Sequence, residues 1–223
     1  ILGPGVKLEN AKLYGANLAD YNLTNVITGP LYTDSTTLLG TNDSIKNNFI
    51  LRENVKLEGW NSYNLNLQDL NLANINIDDM ISGYVMSDLT EEGRSGFPAG
   101  YNLISENNQS NPKKLIVGIN KKISFDTKRT SLNNFKFETI LNNDNNNLLD
   151  CSNIDFHNII TGPIIFSSSQ VKNQINNNFM PTNYKIVDDI DNNSYVIGPS
   201  VKLDGFKFNN KYDLKNDNGL NTG

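Results

Sequence analysis

A five-residue period in the first part of the chain limits its possible folds more than any other feature. Residues 6–26 read VKLENAKLYGANLADYNLTNV, and one position in each group of five holds Leu8, Leu13, Leu18 or Leu23. The position two residues earlier holds Val6, Ala11, Ala16 or Tyr21. An α-helix would spread this period around its circumference, and a flat strand requires a period of two. A chain that turns a corner every five residues, with these side chains pointing inward, meets the period and predicts a solenoid.

A second run of fives occupies residues 55–84, VKLEGWNSYNLNLQDLNLANINIDDMISGY. Its predicted inward positions are Leu57, Ser62, Leu67, Leu72, Ile77 and Ser82. Their partners two residues earlier are Val55, Trp60, Leu65, Leu70, Ile75 and Met80. Like residues would then align on neighbouring turns of the chain, so each turn would be stabilised mainly by its neighbours.

The fives belong to a longer frame that recurs along the chain. The sequence Ile27-Thr28-Gly29-Pro30 closes the first run, Ile81-Ser82-Gly83 closes the second, and Ile160-Thr161-Gly162-Pro163 closes a more divergent third run. The chain ends on another Thr-Gly pair, and irregular segments link the copies. We therefore predict repeat units at 1–47, 48–111, 112–194 (degenerate) and 195–223 (the start of a fourth), which together form one continuous solenoid.

The fives AKLYG and ANLAD resemble those of pentapeptide-repeat proteins. The larger frame P-x-x-Y, as in FPAGYNLI (97–104), followed by G-P-x-V-x-L, as in YVIGPSVKL (195–203), is similar to tandem pentapeptide units of large DNA viruses and aquatic bacteria. This resemblance implies an all-β fold, a right-handed quadrilateral parallel β-helix solenoid, here with irregular loop insertions.

Composition and charge narrow the possible partners. The chain has 40 Asn residues among 223, and Asn suits a chain that bends often because it tolerates left-handed backbone. The net charge of −5 gives no general attraction to nucleic acid or to an anionic membrane. No apolar run reaches the 18 or so residues of a membrane span. We expect protein subunits as partners, with no small-molecule substrate, no nucleic acid and no membrane span.

Two reactive side chains occur once each. His157 lies at a predicted outward position in NIDFHN, with no second metal-ligating or catalytic partner nearby in sequence, so we interpret it as a surface residue. Cys151 has no recognisable catalytic partner pattern and excludes an intrachain disulfide, and we expect it to be a buried or half-buried small residue. We predict no catalytic and no cofactor-binding residues.

Three further motifs are incomplete as binding sites. Asp189, Asp191 and Asn193 match the start of a calcium loop, but Ser194 and Ser200 stand where that loop needs Gly and Glu, so a polar turn is favoured and no metal site is predicted. Gly3-Pro4-Gly5 lacks the continuation of a phosphate-binding loop. A basic cluster is interpreted as a solvated face or a contact with an acidic subunit: Lys113, Lys114, Lys121, Lys122, Lys128 and Arg129.

These observations predict a non-enzymatic structural protein that packs against neighbouring subunits. The tandem frame and the absence of a catalytic constellation support this interpretation, and the resemblance implies a virion component, capsid-associated or fibre-forming, in a virion or extracellular assembly. The alternative is an acidic module that mimics DNA and binds a topoisomerase or another DNA-binding protein. A net charge of −5 gives only a weak negative electrostatic field for mimicking DNA.

Overall fold

The structure is a computed structural model, and it describes most of the chain. In the described residues, eleven short strands form five separate sheets, and one α-helix is present. The residues described are 2–41, 43–67, 70–86, 97–107, 112–118, 121, 123–137 and 148–207.

The strands are two to five residues long. Their bounds are β1 Ser44–Lys46, β2 Phe49–Leu51, β3 Ile81–Ser82, β4 Tyr101–Ser105, β5 Lys114–Gly118, β6 Ile123–Phe125, β7 Ile154–Asp155, β8 Ile160–Thr161, β9 Lys185–Asp188, β10 Ser194–Ile197 and β11 Lys202–Leu203. Three of the sheets are antiparallel pairs: β1 with β2, β4 with β5, and β9 with β10. The other two are parallel, in the orders β3-β6-β7 and β8-β11.

The antiparallel pairs are local hairpins. In the tightest, Asn47 and Asn48 connect β1 to β2 with φ angles of 49° and 65°. Two consecutive residues with positive φ are typical of a type I′ turn, which matches the twist of the flanking strands. The other hairpins have longer connections, and Asp189–Asn193 forms the polar turn between β9 and β10.

The helix α1 (Ser169–Asn178) follows the third Ile-Thr-Gly-Pro closure. Ser168 caps its start, because the Ser168 hydroxyl accepts a hydrogen bond from the Val171 N–H at 3.2 Å. Ile175 is buried. The Asn176 amide holds the hairpin β9–β10 against the helix by accepting from the Ile186 N–H at 2.7 Å and donating to the Ile186 carbonyl at 3.2 Å.

Single parallel bridges join residues 20 to 29 positions apart in the runs of fives. Lys7 pairs with Ile27, Ile27 with Lys56, and Lys56 with Asn76. Each bridge is made by one residue of a five, and the next corner begins at once. The extended part of most fives is therefore too short to become a strand, and β3 at the end of the second run is the exception among the described residues.

The predicted all-β, right-handed quadrilateral parallel β-helix solenoid is wrong as the fold of this chain. The described residues form small separate sheets of two or three strands, three of the five sheets are antiparallel hairpins, and α1 is helical. The prediction was extended to the whole chain from two runs with a period of five. The hairpins and the helix lie in the segments that follow the closures, where the sequence has no such period.

The predicted inward register is largely confirmed by burial. All twelve inward and partner positions of the second run are buried, from Val55 to Ser82. In the first run Leu8, Leu18 and Leu23 are buried, and Leu13 is half-buried. Tyr21 is an error of the prediction, because its side chain is 55% exposed.

Asparagine provides many of the corners. Ten of the twelve non-glycine residues with positive φ in the described chain are asparagine, including Asn10, Asn25, Asn54 and Asn64. Asn tolerates the left-handed region better than most residues, since its short side chain can hydrogen-bond locally. The high Asn content therefore has a structural role here.

The buried side chains form two adjoining clusters. The first contains residues of both runs of fives together with the hairpin β1–β2, and Trp60 is its largest member. The second contains Phe135, Phe137, Cys151 and Phe156 together with residues of the hairpin β9–β10. Phe135 and Phe137 of the third run are buried, and Lys136 between them is half-buried.

A buried hydroxyl anchors each of the three hairpins at a closure. The Thr28 hydroxyl donates to the Ile50 carbonyl of β2 at 3.2 Å. The Ser82 hydroxyl accepts from the Ile116 N–H of β5 at 2.9 Å, and the Thr161 hydroxyl accepts from the Val196 N–H of β10 at 3.4 Å. All three hydroxyl residues are fully buried. The second strand of every hairpin is thus tied to the middle residue of the preceding closure.

The glycine that follows each hydroxyl residue permits close packing. A Cβ on Gly83 would lie 2.7 Å from the Cα of Tyr63, and one on Gly29 would lie 3.0 Å from the Cα of Glu9. A larger residue would push the closure off the segment beneath it. The unit boundaries at 47, 111 and 194 stay a prediction, and the expected fourth closure at Thr222-Gly223 lies outside the described residues.

Replacing Ser82 by alanine tests the anchor. Ser82→Ala leaves the buried Ile116 N–H without its acceptor, so we expect a loss of about 1–3 kcal/mol in the free energy of unfolding. Urea unfolding followed by the fluorescence of Trp60, the chain's one tryptophan, measures this loss. The exposed Ser35→Ala is the matched control and should stay within about 0.5 kcal/mol of the parent. Equal stabilities of the two variants would contradict the anchor.

Candidate functional site: the N-terminal edge

The N-terminal edge, defined as residues 5–25, is the first turn of fives. It begins with a tight turn in which the Val6 N–H donates to the Gly3 carbonyl at 3.1 Å. Gly5 has a φ of +79°, a left-handed conformation that glycine adopts without strain. The motif Gly3-Pro4-Gly5 thus shapes the start of the edge.

One side of this edge is paired, and the other makes no backbone hydrogen bond to the described residues at Lys7, Lys12 and Asn17. The Ile27 N–H donates to the Val6 carbonyl and the Leu8 N–H donates to the Ile27 carbonyl, both at 2.9 Å. The N–H and C=O of Lys7 make no hydrogen bond to the described residues, and the same holds for the backbone groups of Lys12 and Asn17. Unpaired groups at successive bridge positions are a template for another strand.

Exposed apolar side chains accompany the open backbone. Four of the six large hydrophobic side chains that are most exposed in the described chain lie on or beside this edge: Tyr14, Tyr21, Tyr32 and Leu38. Tyr32 is bridged to Lys12, and Leu38 is bridged to Asn17. Large exposed apolar groups near unpaired backbone are typical of an interaction surface.

Arg52 holds the edge to the first hairpin. Its guanidinium donates to the carbonyls of Tyr21 and Leu18, at 2.5 and 2.9 Å, and forms an ion pair with Asp43 in which Nε lies 2.8 Å from Oδ2. The Arg52 side chain is 14% exposed and that of Asp43 is 6% exposed. This contact was missed at the sequence level, because no local pattern links residue 52 to residues 18–21.

Burial and exposure agree with the interpretation of the two reactive side chains. His157 is exposed, and its backbone N–H donates to Asp155 Oδ1 at 2.9 Å. Cys151 is fully buried, and burial raises the pKa of its thiol well above the usual range. A thiol that stays protonated is a poor nucleophile.

The Asp189 motif forms the polar turn that the sequence favoured. Asp189 Oδ1 accepts from the N–H groups of Asp191 and Asn193 at 2.9 and 2.8 Å. Burial acts to raise the pKa of Asp189, but the hydrogen bonds from Asn193 outweigh it and hold the pKa below its usual range. In the part of the chain that the structure describes, no three His, Cys, Asp or Glu side chains gather as metal ligands.

Three members of the basic cluster form contacts within the chain. Lys121 lies 3.0 Å from Asp78, Lys113 lies 3.7 Å from Glu106, and Arg129 lies 3.9 Å from Asp126. Lys113 also stacks on the Tyr84 ring at 4.6 Å, and Arg129 on the Tyr63 ring at 4.9 Å. Lys128 is exposed, and Lys122 lies outside the described residues.

A Tyr–Asp–Lys cluster was also missed at the sequence level. The Tyr101 hydroxyl donates to Asp78 Oδ1 at 2.5 Å, beside Lys121. Burial, and then the hydrogen bond to Asp78, raise the pKa of Tyr101 well above its usual value. Burial acts to raise the pKa of Asp78, but the hydrogen bonds from Tyr101 and Lys121 hold it below its usual range. The hydrogen bond between the neutral Tyr101 hydroxyl and the Asp78 carboxylate holds the start of β4 in place. With the pKa of Tyr101 raised and that of Asp78 lowered, the two groups are poorly suited to proton transfer.

Comparison with known proteins yields no relative: no family model, curated protein or solved structure matches the chain. No helix among residues 2–207 that the structure describes is long and apolar enough to cross a membrane.

Replacing Arg52 by methionine tests the attachment of the edge. Arg52→Met leaves the Asp43 carboxylate largely buried without its cation, so we expect a loss of about 2–4 kcal/mol in the free energy of unfolding. Lys7→Met is the control, because it removes an exposed ion pair with Glu58 worth about 0–1 kcal/mol. Urea unfolding measures both variants. Similar small losses for the two would show that Arg52 does not secure the edge.

Proposed function

We propose that this protein is a non-enzymatic structural protein that assembles with neighbouring subunits through its N-terminal edge. The observation that carries the proposal is the unpaired backbone of Lys7, Lys12 and Asn17 beside the exposed side chains of Tyr14, Tyr32 and Leu38. The resemblance to tandem units of large DNA viruses makes a virion, with a capsid-associated or fibre role, the setting we propose.

The physics of an open edge supports this proposal. Backbone N–H and C=O groups at an edge gain hydrogen bonds when another chain pairs with them, and natural proteins block such edges when association is harmful. Charged side chains and proline are common blocking devices. Lys7 and Lys12 lie on this edge, but tyrosines and a leucine lie next to them, and Arg52 with Asp43 keeps the edge in place.

The arrangement of reactive groups also favours a structural role. Cys151 is buried, His157 is exposed and has only a local contact, and Asp78 is paired with Lys121. A catalytic site needs a nucleophile, a base and a group that orients the base, close together. The side-chain contacts of Cys151 and Asp78 are with the Leu149 carbonyl and with Tyr101 and Lys121, respectively.

Ion pairing favours the structural proposal over the alternative of DNA mimicry. Asp43, Asp78, Asp126 and Asp188 each have a lysine or arginine within 4 Å. A DNA mimic needs unpaired carboxylates in a regular row. The net charge of −5 is small for a chain of 223 residues.

Analytical ultracentrifugation tests the proposal. From about 10 μM to about 1 mM we expect the sedimentation coefficient to rise with concentration, as association at micromolar to millimolar Kd requires. The triple variant Tyr14→Ser, Tyr32→Ser, Leu38→Ser should weaken association at least tenfold, because it removes the apolar groups beside the edge.

The control is Met86→Ser with Ile190→Ser, two exposed apolar residues outside the edge. It should associate like the parent. A strict monomer at the highest concentration, or equal weakening by both sets of substitutions, would contradict the proposal.

A further inference from the structure

We infer that the first hairpin carries a binding site for a neutral sugar, in a cavity of about 650 Å³ beside the Asp43–Arg52 ion pair. This hairpin cavity lies between β1–β2 and the second run of fives, and its volume falls within the roughly 300–1,000 Å³ of small-molecule sites. The inference goes beyond the proposed assembly role and does not depend on it. The polar side chains around the ion pair are those of Thr41, Asp43, Ser44, Glu53, Asn71 and Asn74.

Asp43 is the buried charged group of the hairpin cavity. Its side chain is only 6% exposed. Oδ2 accepts from the Gly40 N–H at 2.8 Å and from the Arg52 guanidinium, with Nε at 2.8 Å. Oδ1 accepts no hydrogen bond from the described residues. A carboxylate oxygen that is removed from bulk water requires a donor, so a ligand hydroxyl that donates to Asp43 would be stabilised there.

The hairpin cavity offers acceptors and hydroxyls on its hairpin side. Glu53 Oε1 accepts from Asn74 Nδ2 at 2.8 Å, so this carboxylate is oriented by the second run of fives and keeps Oε2 as a further acceptor. Thr41 and Ser44 add hydroxyl groups, which both donate and accept.

A fixed amide lies on the other side of the hairpin cavity. Asn71 Oδ1 accepts from the Ala73 N–H at 3.1 Å in a tight turn, which fixes the orientation of the side chain. Its amide NH₂ is a donor, so the lining combines donors with acceptors.

This combination favours a ligand with hydroxyl groups. An ammonium group only donates and a carboxylate only accepts, whereas a hydroxyl does both. The charges agree with a neutral ligand, because Arg52 is paired with Asp43 and only the exposed Glu53 adds a net charge. Leu70 and Ile75 form an apolar part of the lining, against which the C–H groups of a sugar ring can pack.

The other two hairpins have a tyrosine and a glycine at the corresponding cross-strand position. In β4–β5, Tyr101 is in register with Gly118. In β9–β10, Tyr184 directly precedes β9, and a Cβ on Gly198 would lie 2.3 Å from the Tyr184 ring Cδ1. The aromatic ring of Tyr184 thus occupies the space beside its glycine.

The first hairpin departs from this arrangement. Its register ends at the pair Ser44 and Leu51, and the next two residues outward are Asp43 and Arg52. A charged pair therefore replaces the tyrosine and the glycine, and the hairpin cavity lies beside it. The departure places a polar cavity in one hairpin of the three.

Titration followed by NMR tests the inference. The ¹⁵N-labelled 223-residue chain is titrated separately with D-glucose, D-galactose, D-mannose and N-acetyl-D-glucosamine, which differ in the orientation or substitution of their hydroxyls. We expect at least one of these sugars to shift the amide resonances of Ser44, Glu53 and Asn71 saturably, with a Kd on the order of 1 mM for a ligand of this size. Putrescine, a cation without hydroxyls, should leave these resonances unchanged at the same concentrations.

Matched asparagine variants locate the binding. Asn71→Asp keeps the oxygen that accepts from the Ala73 N–H but loses the amide donor, so sugar binding should weaken about three- to tenfold. Asn22→Asp is the control, because Asn22 Oδ1 accepts from the Thr24 N–H at 2.9 Å in a similar turn outside the hairpin cavity. It introduces the same charge and should bind like the parent.

A serine pair gives an independent test. Ser44→Ala removes a hydroxyl of the hairpin cavity and should also weaken binding about three- to tenfold, whereas the exposed Ser35→Ala should not. The Tm and the Trp60 emission check the fold of all four variants.

Several results would overturn the inference: no saturable shift with any of the four sugars, shifts confined to residues outside the hairpin cavity, or equal Kd values within both pairs of variants. Saturable shifts with putrescine alone, abolished in Glu53→Gln, would show a cation site instead and would equally overturn it.

Discussion

The hydrogen bond between a buried closure hydroxyl and the second strand of a hairpin is the contact on which the rest of the structure depends. Thr28, Ser82 and Thr161 make it with Ile50, Ile116 and Val196. Each hydroxyl lies at a closure, and the hairpin that it holds follows later in the chain, so one interaction ties the five-residue segments to the hairpin. Its strength depends on burial, since a backbone group that loses its partner there has no water to replace it. The glycine after the hydroxyl residue then allows the closure to lie directly on the segment beneath.

The sequence predicts the inward register well, because a thin core selects its residues by size and polarity at fixed intervals. Leu57, Leu67 and Ile77 are buried as expected. Tyr21 departs from the pattern, because its side chain is 55% exposed, whereas Trp60 at a partner position of the second run is fully buried. The overall fold was not predicted. Short hairpins and one capped helix follow the closures, and their strands pair antiparallel in registers that a five-residue period does not contain.

The candidate site was beyond reach of the sequence for a related reason. The sequence V-K-L occurs three times, but the sequence does not show which of its backbone groups are hydrogen-bonded. The unpaired backbone of Lys7 is seen only in the fold, because it depends on the neighbouring segments. Arg52 likewise reaches Leu18 and Tyr21 through the hairpin, over a sequence distance that no local pattern covers.

The central claim is that buried hydroxyls hold the hairpins, and amide hydrogen exchange followed by NMR tests it most directly. The N–H groups of Ile116 and Val196 donate to hydroxyl oxygens, whereas those of Lys56 and Ile81 donate to backbone carbonyls in the parallel bridges. If the hydroxyl contacts are as persistent as the bridges, all four amides exchange at similarly slow rates. Exchange of Ile116 and Val196 as fast as the exposed Ser35 amide, while Lys56 and Ile81 stay protected, would contradict the claim.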